Sequence, residues 1–371
     1  MFWFGKNRHH LNLALQGGGA HGAFTWGVLD RLLDEPSIKV GWLSGTSAGA
    51  INAIALATGL AEDGRAGARA KLAAVWEAVI AAGSPELLRY NPFLYGLSRS
   101  QAMTQIGSQI GSMFSPYEFN PMCFDPLRKL LEAHIDFAKL RAFRDVGLLI
   151  AATDAATGRA RLFRRHEVTI EAVLASTCLP QMHHAVEIEG RAYWDGGFSA
   201  NPALLDLVAE SPVDDTLLVL LNPIEKQARP RTARDIAAEV NRVTFSQPLL
   251  RDIAEIAAVR ADRPGFLRRR GARGERIARH RFHMIEAGHH TATLAAETKM
   301  RPDRALLTML HDAGRDEAHR WIERNLVRVG RASTVDLGAR FLGPLRPLSE
   351  IDASAGIERQ QAEAEELAGK L

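Results

Sequence analysis

The apolar positions of this chain fall first into short runs and then into stripes of helical period. Leu11-Asn-Leu-Ala-Leu15 has the length of a buried strand, and Phe24, Val28, Leu29, Leu32 and Leu33 then repeat on one helical face. Asp34-Glu-Pro-Ser37 ends that helix. A second strand is expected from about Lys39 to Leu43. The Ala-rich run after Ser44-Gly-Thr-Ser-Ala-Gly49 predicts a helix through Thr58, and another helix covers Arg65 to Ala81. Strand, glycine loop, helix, strand, turn and helix in this order predict a parallel sheet with helical crossovers, an α/β fold.

Further along, Val146-Gly-Leu-Leu-Ile-Ala-Ala152 reads as a core strand, with Arg159 to Phe163 folding back against it. Ile170 to Thr177 predicts a helix, Ala185 to Tyr193 a hairpin turning at Glu189-Gly190, and Thr216 to Leu221 another buried strand. Thr232 to Arg260 has helical spacing. The last hundred residues are mostly helical, apart from a strand near Arg281 to Glu286. Ser84 to Asp125 lacks sustained periodicity and reads either as an irregular connection or as a flap over an apolar site. No internal repeat is evident.

Composition narrows the class. Of 371 residues, 46% are hydrophobic, too many for a disordered chain, and the net charge of +3 is too small to mark the whole protein for nucleic acid. Two cysteines, Cys123 and Cys178, cannot staple a fold of this length and read as reduced thiols, which suits a cytoplasmic setting. The start, Met1 to His10, places its charges after a very short apolar stretch, the reverse of a secretory signal. The longest apolar stretch, Ala48 to Ala61, is too short to span a bilayer, so membrane contact, where it occurs, is expected to be peripheral.

Three glycine-bearing segments carry the chemistry. Gly17-Gly-Gly-Ala-His-Gly22 matches a dinucleotide fingerprint letter by letter, but the second strand ends in Leu43-Ser44-Gly45, without the acid that would hold a ribose. What remains is a loop whose amides, at a helix start, face an anion. Gly45-Thr-Ser-Ala-Gly49 is G-x-S-x-G between a strand and a helix, the context of a nucleophile elbow, and it marks Ser47; a helix-capping turn is its plain alternative. Trp194-Asp-Gly-Gly-Phe198 follows the hairpin and, taken alone, is a turn.

Taken together, these segments resemble the patatin-like family of lipid acyl hydrolases, whose pattern is a glycine-rich loop, a G-x-S-x-G serine about 30 residues on, and a downstream Asp-Gly-Gly or Asp-Gly-Ala. Leu179-Pro180, the Glu189-to-Trp194 approach and Asn201-Pro202 fit as well, and the resemblance covers roughly residues 10 to 222. Gly314-Arg315 and Ser333-Thr-Val-Asp336 look like the tail of a bacterial subgroup. The resemblance implies a three-layer α/β/α fold with a mainly parallel central sheet, followed by a mostly helical C-terminal extension. The implied division is a tail over 1–9, a catalytic domain over 10–260, a basic helical extension over 261–345 and an acidic tail over 346–371. It also implies a catalytic dyad, with Ser47 as nucleophile and Asp195 as general base, and an oxyanion loop of Gly17, Gly18 and Gly19. Gly22, Gly45, Gly49, Gly196 and Gly197 support the motifs. The implied substrate is a lipid ester, of the phospholipase A or lysophospholipase kind, with no metal and no cofactor.

His21 departs from the family pattern, which commonly has Lys or Arg there; it is expected either to pack at the helix start or to make the site pH-sensitive near neutrality. A Ser-Asp-His triad would draw on His280, His283, His289, His290, His311 or His319, none of which sits in a recognisable loop signature. Strand alternation argues against His183 and His184 sharing one metal ion. A general esterase, a hydrolase of polymeric hydroxyacids and a silent membrane-associated protein are the other readings.

Arg260 to Arg281 holds nine arginines against Asp262 and Glu275, net +7. It reads as a solvated face or as a peripheral patch for anionic membrane. It lacks the interleaved aromatics of a nucleic-acid platform, so no nucleic-acid partner is expected.

Overall fold

The computed structural model describes residues 9–82, 116–119, 125–223, 230–262, 271–291, 294, 298–299 and 302–343. Tails 1–8 and 344–371, Cys123 and nearly all of Ser84 to Asp125 lie outside the described residues. The strands are β1 (His9–Leu15), β2 (Ile38–Thr46), β3 (Gly147–Asp154), β4 (Ala160–Arg164), β5 (Val186–Ile188), β6 (Arg191–Asp195), β7 (Asp215–Leu220) and β8 (Arg281–Glu286). They form one sheet in the order β5-β6-β3-β2-β1-β7-β8, with β4 paired to β3. The five strands from β3 to β8 in this order run parallel, and β4, β5 and β6 form antiparallel pairs.

Burial on both faces explains the continuous apolar runs, and residue alternation sorts them into two cores. Leu11, Leu13, Leu15, Leu148, Ile150, Leu217 and Val219 face one core with α1 (Gly22–Leu33), α2 (Ala48–Ala82) and, from the far end of the chain, Leu307 and Leu310. Ala14, Leu149, Leu218 and Leu220 face the other. Three layers result, the α/β/α arrangement expected.

α3 (Ile170–Ser176) follows β4, and α4 (Leu204–Glu210), α5 (Ala233–Ala261) and α6 (Ala272–Arg279) cover the second face. The C-terminal region is mostly helical, with α7 (Arg304–Asn325) and α8 (Leu337–Phe341), and it is built into the sheet. β8 pairs with β7 from Asp215↔Arg281 to Leu220↔Glu286. α7 crosses α1 at Gly27 and Gly314, where an added Cβ would stand 1.9 Å from His311 O and 2.1 Å from Phe24 O.

Two boundaries differ from those expected. β2 runs on through Ser44-Gly45-Thr46, because these residues pair with Leu149, Ile150 and Ala151 although none carries an apolar side chain. The helices expected on either side of residue 64 form one element broken at Asp63-Gly64, where Gly64 takes φ +56°.

Candidate active site

β2 ends in a tight turn that holds Ser47 at φ +54°, a left-handed conformation that costs a side-chain-bearing residue of order 1–3 kcal/mol. Surrounding contacts fix it there. The Ser47 N–H donates to Ser176 Oγ at 3.0 Å, and its carbonyl accepts from Ala50 N at 2.8 Å and Ile51 N at 3.1 Å, opening α2. The turn also requires close backbone approach: an added Cβ on Gly49 would stand 2.2 Å from Leu15 O, and one on Gly45 2.5 Å from Gly49 O. Ser47 is thus presented at the carboxyl edge of the parallel strands.

Asp195 reaches the same edge by a different route. β2 and β6 lie along one edge of β3, because β4 occupies the other over the same residues. Thr46 pairs with Ala151 and Asp195 with Ala152, so the two strands abut end to end and their last residues meet. The Asp195 N–H donates to Cys178 O at 2.7 Å, and its carbonyl accepts from Thr153 Oγ1 at 2.8 Å. The carboxylate is 1% exposed and accepts from Gly197 N at 2.7 Å. Burial pushes its pKa up to about 7, against the pull of the Gly197 amide and the Ser47 hydroxyl, which both hydrogen-bond it. Burial likewise raises the neighbouring Cys178 thiol to about 11, leaving it neutral.

The glycine loop lies against this pair. An added Cβ on Gly17 would meet Ser47 Cβ at 2.9 Å, and one on Gly22 would meet Ala48 Cβ at 2.6 Å. All three loop glycines are expected from the sequence to offer amides to an oxyanion, but the Gly17 N–H is already engaged, donating to Asn201 Oδ1 at 2.8 Å. The Gly18 and Gly19 amides donate to no acceptor among the described residues. Gly18 adopts extended backbone and Gly19 takes φ +57°. Gly196 and Gly197 admit close neighbours on the other side, where an added Cβ would stand 2.1 Å from Ala151 O and 2.3 Å from the Phe245 ring.

Several site residues are isolated polar side chains without periodic signal. Asn201 is fully buried, follows the Asp195 turn, and spans from the Gly17 N–H to Phe245 O, to which its Nδ2 donates at 3.0 Å. In the sequence it is marked only by the Asn201-Pro202 pair. Thr298 and Lys299 come from far along the chain. Thr298 Oγ1 lies 2.8 Å from His21 Nε2, and the Lys299 main chain covers Gly19. Lys299 Nζ donates to Asn222 Oδ1 at 2.5 Å.

His21 packs at the helix start, 2% exposed. Burial, and then the charge of Lys299, lowers its pKa to about 4, so it is neutral at pH 7 and no sensor near neutrality. A positive charge reaches the loop from Lys299 instead.

Five of the six late histidines are engaged elsewhere, and the side chain of His289 lies outside the described residues. His280 meets Thr216 Oγ1 at 2.7 Å and His283 meets Asp215 at 3.1 Å. His290 pairs with Glu317, His311 with Asp312 and His319 with Glu323. His183 and His184 lie in the turn before β5, not in a strand. Among the described residues, no cluster of three or more His, Cys, Asp or Glu is arranged to hold a metal ion.

The arginine segment is also internally committed where it is described. Arg260 donates to His280 O, Arg276 donates to Ser211 O at 2.7 Å, and Arg273, Arg279 and Arg281 pair with Asp206, Asp214 and Asp215. Asp214 and Asp215 stand at the start of β7, the end of the sheet opposite Ser47. Arg263, Arg268, Arg269 and Arg270 lie outside the described residues.

The model of the family described as patatin-like phospholipase matches residues 13–208, more than half of the chain, and this span holds Ser47, Asp195 and the glycine loop. The chain belongs to the patatin-like phospholipase family. As a patatin-like protein it is, in general terms, a lipid hydrolase. Two of the solved structures similar to it are as follows. One is VipD from Legionella pneumophila, at 13% identity and a TM-score of 0.40, covering 85% of this chain and 67% of that one. The other is the heterodimeric ExoU-SpcU complex from the type III secretion system of Pseudomonas aeruginosa, at 14% identity and a TM-score of 0.24, covering 90% of this chain and 75% of that one. No curated protein matches it. No helix among the described residues of this patatin-like chain is long and apolar enough to cross a membrane.

Proposed function

We propose that this patatin-like protein is a serine acyl hydrolase that cleaves carboxylic ester bonds of lipids, in the manner of a phospholipase A or lysophospholipase, through a Ser47–Asp195 dyad. The observation that carries the reading is the contact between a strained serine at the end of β2 and a buried carboxylate whose pKa stands near 7. An ordinary carboxylate is a feeble base toward an alcohol. Burial raises its proton affinity to a range where it accepts the serine proton at neutral pH and returns it later.

In the first step Ser47 Oγ attacks the ester carbonyl carbon while its proton passes to the Asp195 carboxylate. The Gly18 and Gly19 amides donate to the resulting oxyanion, and Lys299 adds favourable charge beside the loop; loss of one such donor in a serine hydrolase costs about 10²–10³ in rate. The tetrahedral adduct collapses, the carbon–oxygen bond to the alcohol breaks, and Asp195 supplies the proton to that alcohol. Asp195 then takes a proton from water as it attacks the acyl-serine, and collapse releases the carboxylic acid and restores the Ser47 hydroxyl.

Covalent labelling with a fluorophosphonate, followed by mapping of the modified peptide, tests the reading. Label on Ser47, and loss of p-nitrophenyl ester turnover in Ser47→Ala with unchanged circular dichroism, are expected. Turnover that survives Ser47→Ala removes Ser47 from the chemistry, and an essential late histidine with a dispensable Asp195 replaces the dyad by a triad.

A further inference from the structure

We infer that the first half of α5 is a docking surface for a lipid bilayer beside the catalytic edge. The inference rests on the lipid-ester reading of the site. α5 has 29 residues and so extends about 43 Å, whereas the six residues of β7 span only about 20 Å. The helix must therefore overhang the sheet at one end, and its contacts identify which. Phe245 rests on Gly197 and lies 4.7 Å, ring to ring, from Phe198, next to Asp195. Leu249, Ile253 and Ile256 pack in the second core, and Arg260 reaches His280 at the far end of the sheet. Residues 233–244 thus project past the edge that carries Ser47 and Asp195. Pro248, which removes one helical hydrogen bond, lies where the helix leaves the core.

The projecting part carries an apolar stripe on the wrong side for a core. Ile236, Val240 and Val243 are 48%, 58% and 41% exposed. At 100° per residue they lie within about 60° of one another, opposite Phe245 and Leu249. Tyr117 and Met182 are exposed as well. Tyr117 stacks on His184 at 4.0 Å, and Met182 belongs to the turn after Cys178, whose carbonyl holds the Asp195 amide. Five of the eight large exposed apolar side chains among the described residues thus belong to three segments on the Asp195 side of the molecule, which is clustering rather than scatter.

Charge selects the occupant. From Glu225 to Val243 the sequence has five basic residues against Glu225, Asp235 and Glu239, net +2, so a moderately basic stretch accompanies the apolar helical face. That combination suits the headgroup and acyl boundary of an anionic bilayer. Of the described arginines between Arg260 and Arg281, read from sequence as a solvated face or a membrane patch, Arg279 and Arg281 pair with Asp214 and Asp215 at the end of the sheet opposite Ser47, away from the catalytic edge.

Binding is measured by co-flotation with vesicles of phosphatidylcholine mixed with phosphatidylglycerol, alongside turnover of vesicle phospholipid and of p-nitrophenyl butyrate in solution. In the I236D/V240D/V243D variant, and more weakly in V240D alone, vesicle binding and vesicle turnover fall, by about tenfold or more in the triple variant, while hydrolysis of the soluble ester stays at the parental rate. Vesicle binding that survives the triple substitution overturns the proposal. So does an equal loss on both substrates, and so does a lipid-free dimer that the substitutions dissolve, since a second copy would then be the occupant. Binding by Ser47→Ala needs no turnover, so the docking surface can fail or succeed separately from the catalytic reading.

Discussion

Ser47 and Asp195, 148 positions apart in the chain, stand at the abutting ends of two strands that share one edge of β3. In the proposed dyad the carboxylate accepts the serine proton only when ionised, and burial sets its pKa near 7, so kcat/KM for a soluble ester is expected to rise with unit slope up to about pH 7 and to level off above it. His21 is already neutral over that range, so His21→Gln leaves the limb where it is. Initial rates from about pH 5 to about pH 9 check both. A flat profile would show that Asp195 is not the group that titrates.

The same burial has a cost in stability. The Asp195 pKa is raised above its unfolded value of about 3.9, so the folded state holds a proton that the unfolded state has released. This contribution is fully present below about pH 4 and is lost as the pH climbs through about 7. Asp195→Asn keeps an oxygen for the Gly197 amide and removes the ionisation. Relative to the parent, its melting temperature is expected to be similar near pH 4, to rise steadily toward pH 7 and to stay higher beyond. A difference that does not change with pH would contradict a buried, raised carboxylate.

Strands and helices were legible where burial leaves an apolar run or stripe, as in β1, β3, β7 and α1. The polar end of β2 was not, because Ser44 and Thr46 are buried by flanking strands and by bonds from their hydroxyls to Ala203 O and Ala200 O. The elbow and the glycine loop could be read as motifs. That Ser47 and Asp195 meet followed only from the family resemblance, since it depends on which edge of β3 each strand occupies. Asn201, Thr298 and Lys299 are single polar residues whose partners lie far away in sequence, and pattern carries no trace of them. Arg273, Arg279 and Arg281 looked like surface charge because the acids that engage them, Asp206, Asp214 and Asp215, sit some 65 residues earlier.

Asn201 ties the glycine loop to the segment that follows Asp195. Asn201→Ala leaves the Gly17 N–H buried without its acceptor, a loss of about 1–3 kcal/mol, and frees the loop to drift from the elbow. The drift is expected to lower kcat by about 10–10² while KM changes little, because in the proposed mechanism the loop donates to charge that develops only in the transition state. Steady-state kinetics and the rate of fluorophosphonate labelling read this directly. A variant that melts lower yet keeps the parental kcat would confine Asn201 to a role in stability.

α7 is held on α1 by backbone contact that tolerates no added atom. A Cβ at Gly314 would stand 2.1 Å from Phe24 O and 3.0 Å from Val28 N, both main-chain atoms that no rotamer change can move. Around this crossing, Arg315 bonds Asp30 and Asp34, and His311 packs on Trp26 with ring centres 4.1 Å apart, so separating the helices also loosens an ion-pair cluster. Gly314→Ala is therefore expected to destabilise the protein by about 1–3 kcal/mol, although alanine favours helices over glycine. Gly288→Ala, where an added Cβ meets nothing within 4 Å, is the matched control and should leave the melting temperature unchanged. Chemical denaturation of both variants measures the difference. Equal midpoints would mean that α7 does not pack on α1 as closely as the crossing requires, and that the C-terminal region stands apart from the catalytic layers.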